Sequence, residues 1–233
     1  MNEILNNIPD QGWEILEQSR SRGWVLEPMA KSFMEMTGLD IPKFYLGSSS
    51  SRAGEFLKQC KSGVVAKCVS SQILHKTEYG AVRVGIHNQD QLKEAFRHFK
   101  LLPGFEEVLV EEMLSGVELL VGAKIDYQFG PVIVMGIGGT GVEVYKDTTI
   151  RMAPLKPGDV LSMVNSLIGK DIISGHRGQQ GVDMDVLTRV LVQFSHTVME
   201  MEDRIESIDL NPVICTPDRC VVADARIILA SEE

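Results

Sequence analysis

No basic run longer than a few residues interrupts this 233-residue chain, and its formal net charge is −9. A general nucleic-acid binder needs a cationic footprint that displaces counterions, so that class is excluded. No apolar stretch approaches the roughly 18 residues that span a bilayer, and no membrane partner is expected. The opening Met1-Asn2-Glu3-Ile4-Leu5 has neither a basic start nor an apolar h-region, so a secretory leader is not expected either. The four cysteines, at 60, 68, 215 and 220, lack the paired short spacing of a structural zinc site. Cys215 and Cys220 flank a turn, where a disulfide is geometrically conceivable. Nothing else looks secreted, and a reducing cytoplasm is the expected compartment. Repeats and low-complexity segments are also missing. What remains, 44% hydrophobic and 24% charged residues, is the make-up of an ordinary globular protein, long enough for one large domain or two joined lobes.

Helical and strand-like patterns alternate along the chain. Residues 28–37 read as a helix closed by Gly38, and a second helix follows Ser49-Ser50-Ser51, with Phe56, Leu57 and Cys60 on one face and Gly63 past its end. Residues 64–69 are a short apolar run of β type. In residues 81–86, Val82, Val84 and Ile86 alternate with Arg83 and Gly85, the pattern of a half-buried strand. Asn88 and Gln91 suit the N-terminus of an amphipathic helix carrying Leu92, Ala95, Phe96 and Phe99. Leu101-Leu102-Pro103-Gly104 then breaks the chain and marks the expected lobe boundary. The division expected is an N-terminal extension over 1–23, a first lobe over 24–104 and a second over 105–233. Strand patterns occupy 108–112, 119–125 and 132–137. Two helices follow, one carrying Val160, Leu161, Val164, Leu167 and Ile168, the other Leu187, Val190, Leu191, Phe194 and Val198. Two β segments, 205–214 and 220–227, close the chain. The expected class is α+β, with helices layered on largely antiparallel sheet.

The last two strands are joined by Thr216-Pro217-Asp218-Arg219, which has turn chemistry at its centre. If Cys215 faces Cys220, Asn211 falls opposite Asp224 and Asp209 opposite Arg226. Facing residues of an antiparallel pair have Cβ atoms about 5 Å apart. An amide oxygen and a carboxylate at that separation can share a hard cation such as Mg²⁺. The spacing alone equally describes a solvated hairpin with its polar residues outward. The apolar setting weighs against that reading, because short acids and amides among Ile, Leu and Val are costly unless something pairs with them.

Three further features carry chemistry. Lys67 interrupts the run Val64-Val65-Ala66-Lys67-Cys68-Val69; it either faces solvent or points into a cleft as a point charge for phosphates. His75 lies in a loop between two β segments, where a histidine is either inert or a nucleophile for phosphoryl transfer. Gly136-Ile137-Gly138-Gly139-Thr140-Gly141 is not a dinucleotide fingerprint, because Val142-Glu143-Val144-Tyr145 continues as strand where that motif must open a helix, with Asp147 in the following turn. A glycine-rich connection of this kind is either an ordinary hairpin or a flap whose N–H groups approach phosphates.

Taken in order, Val64-Val65-Ala66-Lys67, Ile73-Leu74-His75-Lys76-Thr77, Val110-Glu111-Glu112-Met113, Gly116-Val117-Glu118-Leu119, Phe129-Gly130-Pro131-Val132-Ile133, Gly138-Gly139-Thr140-Gly141-Val142-Glu143-Val144, Arg151-Met152-Ala153-Pro154-Leu155, Gly175-His176-Arg177-Gly178, Asp209-Leu210-Asn211-Pro212 and Asp224-Ala225-Arg226 resemble a known family. It is the ATP-grasp β component of NDP-forming acyl-CoA synthetases (acetate–CoA ligase, ADP-forming), related to succinyl-CoA synthetase. The resemblance implies an ATP-grasp fold, two lobes enclosing a nucleotide cleft. It implies that Lys67 holds nucleotide phosphates, that Glu111, Glu112 and Met113 form the hinge strand beside adenine, and that Glu118 lies near the ribose. The loop around Gly138 and Gly139 would be the phosphate lid, Asn211 and Asp224 would hold Mg²⁺ with Asp209 close by, and His75 would be a phosphohistidine passing phosphate to ADP. The net reaction implied is acyl-CoA + ADP + phosphate giving acid + CoA + ATP.

Some positions depart from the usual pattern. They are Ser70-Ser71-Gln72, Glu78-Tyr79-Gly80-Ala81, Thr140-Gly141 and Gln179-Gln180-Gly181; none removes Lys67, His75, Asn211 or Asp224. The sequence has no Rossmann-type CoA-binding signature, so a separate CoA-binding α subunit, in an α2β2 assembly, is the expected partner besides ATP and ADP. A free-standing carboxylate ligase without phosphohistidine and a non-catalytic ATP-binding subunit are the alternatives.

Overall fold

A computed structural model of the chain describes residues 8–139, 147–175 and 181–231. The chain forms two units, one from residues 1–41 with 115–233 and one from residues 42–114. The first unit begins with α1 (Asp10–Ser19), β1 (Trp24–Val25) and α2 (Glu27–Met36). Leu16 of α1 and Ala30, Phe33 and Met34 of α2 lie in its core, at the spacing that aligns one face of a helix. Leu16 thus ties α1 into the core, whereas residues 1–23 were expected as an extension. The second helix stops where expected, with Gly38 at φ +87, the left-handed conformation that ends helices.

Residues 42–114 build β2 (Phe44–Gly47), α3 (Ser50–Leu57), β3 (Val64–Ser70), β4 (Val82–Ile86), α4 (Gln89–Phe99) and β5 (Phe105–Glu112). The sheet runs β2-β5-β3-β4, every neighbour antiparallel. Caps fix both helices: Ser49 Oγ accepts from Arg52 N, and Asn88 Oδ1 accepts from Asp90 N and Gln91 N. Gln91 closes the cap from the other side by accepting from His87 N at 2.9 Å, one residue earlier than a capping box requires. Ala53, Leu92, Ala95, Phe96 and Phe99 pack against Val64, Ala66, Cys68, Val108 and Val110. Strand alternation then turns Val65, Lys67, Leu109 and Glu111 to the opposite face of this sheet.

Two expectations fail here. The boundary after Gly104 would cut a sheet in half, because β5 lies between β2 and β3; the unit ends after Leu114 instead. Val84 is not half-buried but 69% exposed. The β3–β4 register shifts between Val64–Ile86 and Ala66–Arg83, with Gly85 at φ +74, and the extra residue turns Val84 outward.

The chain then returns to the first unit. There it forms β6 (Val117–Asp126), β7 (Gly130–Ile137), β8 (Thr148–Met152), α5 (Pro157–Ser166), α6 (Lys170–Ser174), α7 (Met184–Glu200), β9 (Ile205–Cys215), β10 (Cys220–Val222) and β11 (Arg226–Leu229). The sheet order is β1-β11-β9-β6-β7-β8, with β10 paired to β9. Val160, Met163 and Val164 of α5 and Leu187, Leu191, Phe194 and Val198 of α7 fill the core with Leu119, Val121, Ile133, Met135, Ile208 and Leu210. Leu161 and Ile168, grouped with the same helix in the sequence, are 55% and 87% exposed. The closing β segment is split, because residues 223–225 leave the ladder between β10 and β11. Cys215 faces Cys220 and the two are joined as a disulfide, a pairing that the sequence reading weighed against. The stretch 142–145, expected as strand, lies outside the described residues.

Candidate functional site

In the first unit, the site grows from a bulge. Against β6, the register of β9 shifts between Leu119–Val213 and Val121–Leu210, so Asn211 and Pro212 together oppose Leu120. Leu210 and Val213 both reach the core, while Asp209 and Asn211 are exposed. The Asn211–Pro212 peptide is cis. Val213 pairs with Val222 and Asp209 with Arg226, and Ala223 N donates to Pro212 O at 3.0 Å. Asn211 and Asp224 thus occupy facing register positions, as expected, although Asp224 sits in the interruption between β10 and β11.

Asp209 has a different partner. Although it keeps solvent-accessible surface, the protein around its carboxyl raises the pKa by desolvation, and Arg226 across the ladder opposes that rise. Among the described residues, no group of three or more His, Cys, Asp or Glu could hold a metal ion. Two oxygen donors from Asn211 and Asp224 are what Mg²⁺ takes from a protein when phosphates and water complete its octahedron. The pair therefore fits Mg²⁺ brought with a nucleotide, and not an ion held by protein alone.

The root of the glycine loop is built against β6. Gly138 N donates to Glu118 O at 2.6 Å, and a Cβ at Gly138 would stand 2.9 Å from the Glu118 carbonyl carbon. Gly139 takes φ +100 beside the Glu118 carboxylate. On the far side of the loop, Asp147 accepts from Ile168 N at 2.8 Å and Gly169 N at 2.7 Å. Sequence reasoning placed Asp147 in a turn but missed this clamp, whose partners lie beyond two intervening elements, β8 and α5. Residues 140–146 lie outside the described residues. A Gly138→Ala chain is expected to bind ATP about tenfold more weakly, since about 1.4 kcal/mol of displaced backbone is a factor of ten. A fluorescent-nucleotide titration reads this, and an unchanged affinity would show that the loop root has no part in binding.

In the second unit, Lys67 does not face solvent. Its Nζ lies 3.0 Å from Glu111 Oε2, and both side chains are buried. They sit on the sheet face away from the helices, Lys67 opposite Leu109 and Glu111 opposite Val65. The expected hinge continues into Glu112, whose N donates to Lys43 O at 3.0 Å, and Met113, whose N donates to Gly63 O at 3.1 Å. Both amides are committed to protein carbonyls, so an adenine edge laid here would read carbonyl oxygens and not these N–H groups.

His75 is exposed at the apex of the connection between β3 and β4. Ser70 Oγ donates to Pro103 O at 2.7 Å and accepts from Gln72 N and Ile73 N, which roots one side of the loop. Ile73 is buried. On the other side, Ala81 N donates to Lys76 O at 2.8 Å, Gly80 N donates to Thr77 O, and Gly80 takes φ +60. An exposed imidazole is thus presented on a loop fixed at both ends. Each expected site residue falls into one of two sets: Glu118, Gly138, Gly139, Asp209, Asn211 and Asp224 in the first unit, Lys67, His75, Glu111, Glu112 and Met113 in the second.

Comparison with known proteins decides the family. Residues 16–229 match the ATP-grasp domain model. The chain is 33% identical to the acetate–CoA ligase [ADP-forming] I subunit beta of Pyrococcus furiosus, over 93% of this chain and 97% of that one. It belongs to the ATP-grasp family of ADP-forming acetate–CoA ligase β subunits. Solved structures of the acetyl-coenzyme A synthetase 1 of Ca. Korarchaeum cryptofilum match this ATP-grasp chain closely. One, in complex with coenzyme A, acetyl-coenzyme A and a phosphorylated phosphohistidine segment, superposes with a TM-score of 0.81 at 32% identity, covering 94% of this chain and 100% of that one. Another, with coenzyme A and Mg-AMPPCP and its phosphohistidine segment pointing towards the nucleotide binding site, gives 0.80 at 31% identity with the same coverage. The ATP-grasp architecture expected from the sequence is the one found.

Proposed function

We propose that this chain is the nucleotide-binding β subunit of an ADP-forming acyl-CoA synthetase, and that His75 relays phosphate to ADP. The observation that carries the reading is the exposed imidazole on its two-sided anchored loop, in a chain that aligns with an acetate–CoA ligase β subunit over nearly its full length. In the direction of ATP synthesis, a terminal phosphate oxygen of ADP attacks the phosphorus carried on His75. The P–N bond breaks and the imidazole keeps the electron pair. In reverse, the ring nitrogen takes the γ-phosphoryl group and ADP leaves. Lys67 offers its ammonium to the phosphates, and Glu111 fixes its position and balances its buried charge. Gly138 and Gly139 root the expected phosphate lid. Asn211 and Asp224 would hold Mg²⁺, which supplies positive charge against the phosphate oxygens. Asp209, facing Arg226 on the ladder, would lie close by.

The acyl-CoA chemistry is assigned to a CoA-binding α subunit, in an α2β2 assembly, and the workplace to the cytoplasm. Among the described residues, no helix is long and apolar enough to cross a membrane. Incubating the chain with Mg²⁺ and γ-³²P-ATP should leave base-stable, acid-labile label on the protein. A chain that hydrolyses ATP in the assembled enzyme without ever carrying label would remove the relay and leave direct acyl-phosphate chemistry.

A further inference from the structure

Among the described residues, the most deeply buried charge has no part in the chemistry above. Lys31, on α2, is fully buried, and Glu27, one helical turn earlier, is nearly so. Lys31 Nζ lies 3.0 Å from Glu27 Oε1 and donates to the main-chain carbonyl of Ala223 at 2.6 Å. An ammonium in a core is expensive even when paired, and a position that needs only packing is better served by hydrocarbon. The neighbours on this stripe of α2, Ala30, Phe33 and Met34, are of that kind. The contact at Ala223 gives the charge a task.

Ala223 begins the three-residue interruption between β10 and β11, where the ladder no longer holds the chain. Its carbonyl is held by Lys31, and its N–H donates to Pro212 O at 3.0 Å. Pro212 directly follows Asn211, and Ala223 directly precedes Asp224. One residue, its carbonyl gripped from the core by an ammonium and its N–H bonded to Pro212, thus ties together the residues adjoining both expected metal donors. Just upstream, Val222 N donates to Asp40 O at 2.8 Å, so the segment is anchored before the gap as well.

We propose that Lys31, neutralised by Glu27, is the positioning residue for the Asn211–Asp224 metal pair, setting the separation of the two donors through the Ala223 carbonyl. The proposal rests on the Mg²⁺ reading of those two residues. Neither Glu27 nor Lys31 touches metal or nucleotide; removing them loosens the donors without removing one.

The test is Mn²⁺ binding to the full chain in the presence of ADP, read by electron paramagnetic resonance. Replacing both charges, Glu27→Leu with Lys31→Met, leaves hydrocarbon of similar volume, the exchange that buried ion pairs tolerate best. The double variant is expected to bind Mn²⁺ about 10- to 100-fold more weakly, the usual cost of losing a group that orients a metal ligand. Its affinity for ADP without metal should stay at the wild-type value, which a general loss of packing would not allow. A folded double variant with wild-type Mn²⁺ affinity overturns the proposal. If the double variant does not fold, Glu27→Asp keeps both charges and shortens the reach; weaker Mn²⁺ binding supports the clamp, and unchanged binding overturns it. Asp224→Ala in the otherwise wild-type chain separates the two levels. Should that variant bind Mn²⁺ normally, the metal reading itself fails.

Discussion

A His75→Ala chain, assembled with its CoA-binding partner, is expected to lose at least roughly a thousandfold in turnover while binding ADP as the wild type does. Loss of a nucleophile that forms a covalent intermediate removes whole steps, and effects of that size or larger follow. Binding is spared because the imidazole is exposed at the loop apex, and both anchors, through Ser70 and through the Lys76–Ala81 turn, use main-chain or neighbouring groups and not the ring. The readout is therefore a split: kcat collapses while a nucleotide titration is unmoved. His75→Asn adds a control with a polar side chain of similar size, which should be as inactive as alanine. If either variant still accumulates acid-labile, base-stable label from γ-³²P-ATP, the phosphate resides on another residue and His75 is a bystander.

Glu111→Ala is expected to carry the largest stability penalty of any single change at the site. It leaves the Lys67 ammonium buried on the sheet face without the carboxylate 3.0 Å away. Breaking one side of a buried pair costs about 3–5 kcal/mol. At about 2–4 °C per kcal/mol for a chain of this size, the melting temperature should fall by roughly 6–20 °C. The companion variant decides what the pair is for. With Lys67→Met and Glu111→Leu together, the fold should recover most of that stability, because no charge is left without its counterion. Activity should not recover with it, since the cation meant for the phosphates is gone. A stable and active double variant would make the pair a packing feature and move phosphate binding elsewhere.

Local features of the fold were legible in the sequence, and long-range partnerships were not. The hairpin of β9 and β10 could be registered by hand because alternation and turn chemistry both act within a few residues; Val213–Val222 and Asp209–Arg226 pair as expected. The helix around Leu92, Ala95, Phe96 and Phe99 was readable for the same reason. The division between units was not, because nothing in residues 105–112 says that their neighbours will be β2 and β3. Val84 was lost to a bulge whose cause, the conformation of Gly85, is invisible to a period-two reading. Among the site residues, Lys67 and Glu111 were each singled out, but their mutual contact joins two strands far apart in sequence. Lys31 escaped altogether. A lysine four residues after a glutamate on an amphipathic helix looks like an ordinary surface pair, and only tertiary packing sends it inward.

The outermost pairing of the larger sheet has a consequence for how the molecule is made. Trp24 and Val25 of β1 find their partners in Ile228 and Ile227, so β1 cannot be seated until β11, some two hundred residues later, exists. Residues 42–114, by contrast, form their sheet and core from one continuous stretch. On a ribosome that stretch has all its partners soon after it emerges, whereas α1 and α2, synthesised earlier, must wait with Leu16, Phe33 and Met34 uncovered until β11 arrives. These two helices are thus among the last elements of the first unit to be completed, and during that interval they present exposed apolar surface, a natural place for a chaperone to hold.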